Sequence, residues 1–228
     1  MGAGHLSNNA VYFWKKNILA LSQARCHDDK WLYGADAKRE VYLRWYMKVP
    51  PAAQFDKACA SGFKFWRFIL RETGISPGPE FYLNVSGATF ATGTLGIWYN
   101  ATSQWGDLMP VSSFNDGNWH CHELHIKCNS TATTADGVVE YWLDGGIAGT
   151  PNTSLTGLIL YPVNSAAIHR TGLGMGNTTE ETPFYQSNWT AIAFDDYVLS
   201  TTYNGLIGGA PTAPTSVPTV GVGGFRTW

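Results

Sequence analysis

Seven side chains on three short stretches have the types and spacing for proton transfer and sugar binding. In WHCHELHIK, Glu123, His125 and Lys127 stand two residues apart, and residues at that spacing share one face of an extended strand. In VVEYWLDGG, Glu140 and Trp142 are spaced the same way, as are Arg44 and Tyr46 in VYLRWYMKVP. Histidine takes up or gives a proton near neutral pH, and tyrosine does so where its surroundings shift it. Arg and Lys hold a carboxylate, and a neighbouring aromatic ring offers a flat apolar surface. His125 and Tyr46 are therefore candidates for proton transfer, and Arg44, Glu123, Lys127, Glu140 and Trp142 for ligand binding. A single such strand taken alone reads as a solvated face with ordinary cross-strand ion pairs. The case for a site rests on several strands contributing to one face.

The elements that must position these residues are strands. Leu124 and Ile126 alternate with the charged row, and Val139, Tyr141 and Leu143 alternate with Glu140, Trp142 and Asp144, the period-2 pattern of half-buried strands. The polar, glycine-containing stretch between them reads as a hairpin connection, and Asp144-Gly145-Gly146 ends the second strand in a tight turn. Val41, Leu43, Trp45 and Met47 alternate with Tyr42, Arg44, Tyr46 and Lys48 before Pro50-Pro51 stops the strand. Further strands are expected at residues 63–71, 80–85, 95–99, 155–163, 168–175 and 189–200, with a short apolar run at 11–14. Arg25 to Lys38 reads as a polar loop. No stretch repeats apolar residues at helical spacing over ten or more positions. The class is all-β, two antiparallel sheets face to face, with Leu43, Trp45, Leu124, Ile126, Tyr141, Leu143 and Phe194 in the core.

Composition narrows the function classes. The chain has 228 residues, 44% of them hydrophobic, and suits one sandwich domain. A net charge of -2 offers no basic field for a phosphate backbone, which disfavours nucleic acid. Ten Trp, eleven Tyr and eleven Phe suit both a β core and the stacking of sugar rings. No run is long enough for a membrane span, and the N-terminus lacks the order of a signal peptide. Cys121 and Cys128 lie too far apart on one strand to bridge, while Cys26 and Cys59 are either a disulfide or free thiols. Asn84, Asn100, Asn129, Asn152, Asn177 and Asn188 each open an Asn-x-Ser/Thr triplet, more than the roughly two expected by chance. That excess points to an extracellular, cell-surface or virion-surface location. His5, His27, His120, His122 and His169 have no zinc-ligand spacing. After Gly205 the composition turns Gly-, Pro- and Thr-rich, so the domain is expected over 1–205 and a linker or arm over 206–228.

The order of WHCHELHIK, VVEYWLDG, VYLRWYMKVP with KFWRFI, and the closing IAFDDYVLSTTYNG resembles the concanavalin A-like jelly rolls, especially their polysaccharide lyase-like and uncharacterised bacterial members. The resemblance spans about Glu40 to Gly205 and implies a jelly-roll sandwich with a glycan groove on its concave sheet. The Gln-x-His triplet and the late Tyr-Phe-Lys segment of alginate lyases with this fold are absent. So is the Glu-x-Asp-x-x-Glu string of its glycoside hydrolases, which disfavours double-carboxylate hydrolysis on the Glu123 strand. Three readings follow. One is a lyase acting on a uronate-containing polysaccharide by β-elimination, with Arg44 or Lys127 neutralising the carboxylate and His125 or Tyr46 moving the proton. Another is a non-catalytic carbohydrate-binding module using Trp142 and Tyr46 as platforms. The third is a structural subunit of a filament, surface layer or virion that self-assembles or meets a partner chain through its C-terminal arm. Lastly, strict alternation around Ile192, Phe194 and Val198 drives Asp196 inward beside Asp195, which calls for a structural calcium ion or a polar network there.

Overall fold

The computed structural model describes residues 11–14, 26–31, 38–53, 58–71, 80–99, 104–146, 149–160, 167–177 and 191–205. In chain order the strands are β1 (Val11–Trp14), β2 (Cys26–Trp31), β3 (Glu40–Lys48), β4 (Ala58–Arg71), β5 (Glu80–Thr89), β6 (Thr94–Tyr99), β7 (Gln104–Pro110), β8 (Trp119–Lys127), β9 (Gly137–Leu143), β10 (Thr153–Leu158), β11 (Ala167–Asn177) and β12 (Ala191–Ser200). They form two six-stranded sheets, β1-β12-β3-β8-β9-β10 and β2-β11-β4-β5-β6-β7. Every neighbouring pair is antiparallel. The molecule is a two-sheet antiparallel jelly-roll sandwich, as the alternation predicts. The arm at 206–228 lies outside the described residues.

The inner faces make the core. Leu43, Trp45, Leu124, Ile126, Tyr141 and Phe194 from the first sheet are buried against Leu83, Val85, Leu95 and Ile97 from the second, with Leu143 packed at the margin. Full burial of each such aliphatic side chain stabilises the fold by about 1.5–3 kcal/mol. This shared core holds the strands of the first sheet in register and so fixes which side chains share its outer face.

Several expectations need correction. Residues 26–31 form β2, not a loop. Its polar sequence suits an edge strand, and among the described residues it pairs only with β11. β7 was not legible, because QWGDLMP carries Gly, Asp and Pro, but it too is an edge strand, where Pro is tolerated. β10 ends at Leu158, after a register irregularity at Gly157, whose φ is +71°.

The largest change is in β12. Its register against β3 shifts between Asp195 and Val198, and Asp196 has φ +47°. This bulge places Asp195 opposite Tyr46 and Val198 opposite Arg44. Val198 therefore lies on the outer side rather than the inner, and Asp196 is half-buried instead of being driven into the core. The Asp196 N–H donates to Asp195 Oδ1 at 2.8 Å. The extra residue takes Asp196 out of the strict alternation on which the expectation of calcium or a polar network rested.

The cysteines and glycosylation triplets are also placed. Cys26 on β2 and Cys59 on β4 are separated by β11, two strand spacings or about 10 Å, beyond the Cα reach of a disulfide. Cys121 and Cys128 are free and buried. Asn84 and Asn129 are 8% and 1% exposed, too buried for a glycan, whereas Asn152 is exposed. The excess of triplets therefore overstates the glycosylatable surface.

Candidate functional site

The pairing register brings the expected residues onto one face. Across β3 and β8 the facing pairs are Glu40 with Lys127, Tyr42 with His125, Arg44 with Glu123 and Tyr46 with Cys121. Across β8 and β9 they are His125 with Glu140 and Glu123 with Trp142. Facing residues in an antiparallel pair point the same way, so Arg44, Tyr46, Glu123, His125, Lys127, Glu140 and Trp142 all lie on the outer side of the first sheet. Sharing a face does not make them an open groove.

Immediately after β12 the chain folds back over this face. Asn204 donates its backbone N–H at 2.7 Å and its side-chain Nδ2 at 3.1 Å to Glu123 Oε1, and the Gly205 N–H donates to Oε2 at 3.0 Å. Arg44 Nη1 donates to the Gly205 carbonyl at 3.0 Å. Gly205 has φ +65°, a conformation glycine adopts without strain, and here its N–H and C=O engage the two opposite charges. Under this strap, residues 201–205, Glu123 is 2% exposed and Arg44 6% exposed. Burial pushes the Glu123 carboxyl up, and the hydrogen bonds from Asn204 and Gly205 and the Arg44 charge pull against that shift. Arg44 and Glu123 thus hold the chain's own backbone.

His125 sits between two carboxylates. Its Nδ1 lies 2.8 Å from Glu140 Oε2 and its Nε2 lies 2.9 Å from Glu40 Oε1. Tyr42 stacks on the ring, with centroids 4.2 Å apart and planes 6° apart. Burial, then the charges of Glu40, Glu140 and Glu123, raise the Tyr42 hydroxyl above its ordinary range, so it stays a donor. Both imidazole nitrogens are engaged, which leaves neither aimed at a ligand.

Trp142 is likewise committed. It is 5% exposed, and its Nε1 donates to the Gly149 carbonyl at 2.8 Å. Tyr203, carried by the strap, leans on it with centroids 5.1 Å apart and is itself 40% exposed. Tyr203 therefore presents the ring surface that the sequence assigned to Trp142. Tyr46 is fully buried and hydrogen-bonded to the Cys121 thiol, so it is not available to a polymer at the surface. Lys127 remains exposed at the margin opposite Glu40.

Two histidines of β8 have other tasks. His120 bridges Asp144 Oδ2 at 2.7 Å and Asp116 Oδ1 at 3.0 Å. The Asp144 bond leads in raising the His120 pKa against burial, and Asp116 adds to it. Burial works against the lowering of Asp116, but bonds from Asn118 and His120 outweigh it and bring that carboxyl to about 2. His122 points into the core, where its Nδ1 meets the Tyr141 hydroxyl at 2.6 Å and its ring stacks on Trp45. Burial pushes its pKa down to about 3.

Tyr42, Glu40, Tyr203 and the Asn204-Gly205 turn were missed as site residues. Tyr42 and Glu40 share the parity of Arg44 and were legible on that ground. The strap was not, because no local pattern links Glu123 to a turn 81 residues later. Among the described residues no group of three or more His, Cys, Asp or Glu side chains is arranged to hold a metal ion.

No protein-family model and no curated protein matches the chain. Solved structures do resemble it. The marine PL-14 alginate lyase from Aplysia kurodai superposes with a TM-score of 0.50 at 15% identity, over 73% of this chain and 71% of that one. A double mutant of the alginate lyase Aly36B, in complex with alginate tetrasaccharide, gives a TM-score of 0.50 at 18% identity, over 72% and 70%. These likenesses establish the jelly-roll fold.

Proposed function

We propose that the protein is a non-catalytic glycan-binding jelly roll. The observation that carries this reading is the division of labour on the first sheet. Arg44, Tyr46 and His125, the described groups expected to neutralise a carboxylate or move a proton, are each engaged internally, while Tyr203, Glu40 and Glu140 stay accessible. Tyr203 supplies an aromatic surface for the C–H face of a pyranose, and the two carboxylates accept hydrogen bonds from sugar hydroxyls. Glu40 and Glu140 beside one exposed cation favour neutral over uronate-rich chains. The lyase reading asks His125 or Tyr46 to reach a ring proton, and in the described geometry both nitrogens of His125 are engaged by carboxylates and the Tyr46 phenol is fully buried.

Affinity electrophoresis in gels containing soluble xylan, mixed-linkage glucan or alginate tests the proposal. Retardation is expected in the neutral gels, and Tyr203→Ala should weaken it about tenfold, some 1.4 kcal/mol. Equal mobility with and without every polymer would overturn it. The strap also favours a second reading, because it gives the arm at 206–228 a pinned point of departure toward a partner chain. Deleting 206–228 should then lower the assembled mass seen by sedimentation, and an unchanged monomer would exclude that role.

A further inference from the structure

The second sheet carries an aromatic row that the first-sheet site does not use. Tyr82 on β5 faces Trp98 on β6, and Trp98 faces Trp105 on β7, so the three residues stand at one register position across three strands. Their neighbours Leu83, Val85, Leu95 and Ile97 point into the core, which puts the row on the outer side of the sandwich. All three rings are half-buried.

The row is built to be flat. A Cβ at Gly96 would meet the Trp105 ring and the Gly106 carbonyl inside contact distance, so the ring lies down on the sheet in the space that glycine leaves. Trp105 Nε1 donates to Asp107, which fixes the ring's rotation. A tryptophan pinned by its edge over a glycine presents its outer face.

A second observation points to a ligand. Asn84 pairs with Gly96 and so lies on this same face beside the row. It is 8% exposed, and its Oδ1 has no hydrogen-bond partner among the described residues. An orphaned buried acceptor costs free energy until a donor reaches it. That oxygen is closed to solvent where it stands, so a sugar hydroxyl at the margin of the aromatic platform supplies the donor once the amide turns outward.

From this arrangement we infer a second glycan site on the outer face of β5, β6 and β7, taking neutral pyranose chains whose equatorial substituents leave an apolar C–H face free. Trp98 and Trp105 stack successive rings, Tyr82 extends the platform, and Asn84 accepts a hydroxyl. Adjacent strands lie about 4.8 Å apart, so neighbouring platform residues contact one chain. Because the two sheets face opposite ways, this site is independent of the one around Tyr203. A protein carrying both can cross-link a polymer or hold it by avidity.

The test is retention on swollen cellulose, insoluble xylan and mannan, with the full chain and with Trp105→Ala, Trp98→Ala and Tyr203→Ala. Retention of the full chain on at least one polymer is expected, about tenfold weaker in Trp105→Ala and Trp98→Ala, with thermal unfolding checked for each. Retention that survives Tyr203→Ala but fails in either Trp variant supports the second site even if the first-sheet reading is wrong. Absence of retention on all three polymers overturns it. So does wild-type retention by folded Trp98→Ala and Trp105→Ala.

Discussion

Replacing Glu123 by Ala is the sharpest perturbation of the strap. The carboxylate accepts three N–H bonds from Asn204 and Gly205 and faces Arg44 across the β3–β8 pair. Its removal orphans those donors and leaves a buried guanidinium whose Nε already lacks a partner among the described residues. Leaving a buried donor without its acceptor costs about 1–3 kcal/mol for each group. Partial release of the strap lets water reach Arg44 and reduces the loss to about 2–3 kcal/mol. For a chain of this length each kcal/mol lowers Tm by about 2–4 °C, so a fall of about 4–12 °C is expected by calorimetry. Release should also uncover Trp142, red-shift its emission and open the chain near Tyr203 to chymotrypsin. Because burial holds the Glu123 carboxyl above its ordinary range, this site gains relative stability as pH falls toward the unfolded value, and mild acid should not open the strap. An unchanged Tm together with full protease resistance would refute the claim that Glu123 holds the strap.

Other expectations concern the buried groups of β8. The His122 pKa falls from its ordinary value to about 3 in the fold. Stability at this site is thus present above about pH 6.5 and declines as pH falls toward 3, and His122→Phe should flatten the fall of Tm between pH 7 and 4. An unaltered slope would contradict the assignment. The His120 pKa is raised by Asp144 and Asp116, so its contribution is full below about pH 6.5 and is lost as pH rises through the folded value. His120→Ala should cost about 1 kcal/mol at pH 5 and less at pH 9, read from urea midpoints. Burial raises the Cys121 and Cys128 thiols to about 12, so iodoacetamide at pH 8 should label them only after unfolding.

What the sequence disclosed was the local part. Period-2 alternation around Leu43, Leu124 and Tyr141 identified β3, β8 and β9, and parity then assembled the outer face. What it hid was long-range or irregular. The strap joins residues 81 apart, and only the fold reveals that Glu123 and Arg44 bind backbone. The bulge at Asp195–Asp196 broke the parity used to place Asp196, since one extra residue reverses every side chain after it. β2 and β7 lie at sheet edges, where polar residues and proline are admitted, so neither announced itself. The aromatic row went unread because Trp105 lies on β7, the strand that alternation did not find.

The central claim is glycan binding without chemistry, and one experiment measures both halves on the same sample. The protein is incubated with alginate, glucuronan, xylan and mixed-linkage glucan while near-ultraviolet absorbance is followed, and polymer retention is then measured. β-Elimination creates a conjugated double bond and raises that absorbance, whereas binding leaves it flat. The account predicts flat traces with all four polymers and retention on the neutral ones that Tyr203→Ala weakens. A steady rise in absorbance that His125→Ala abolishes would contradict it and restore the lyase.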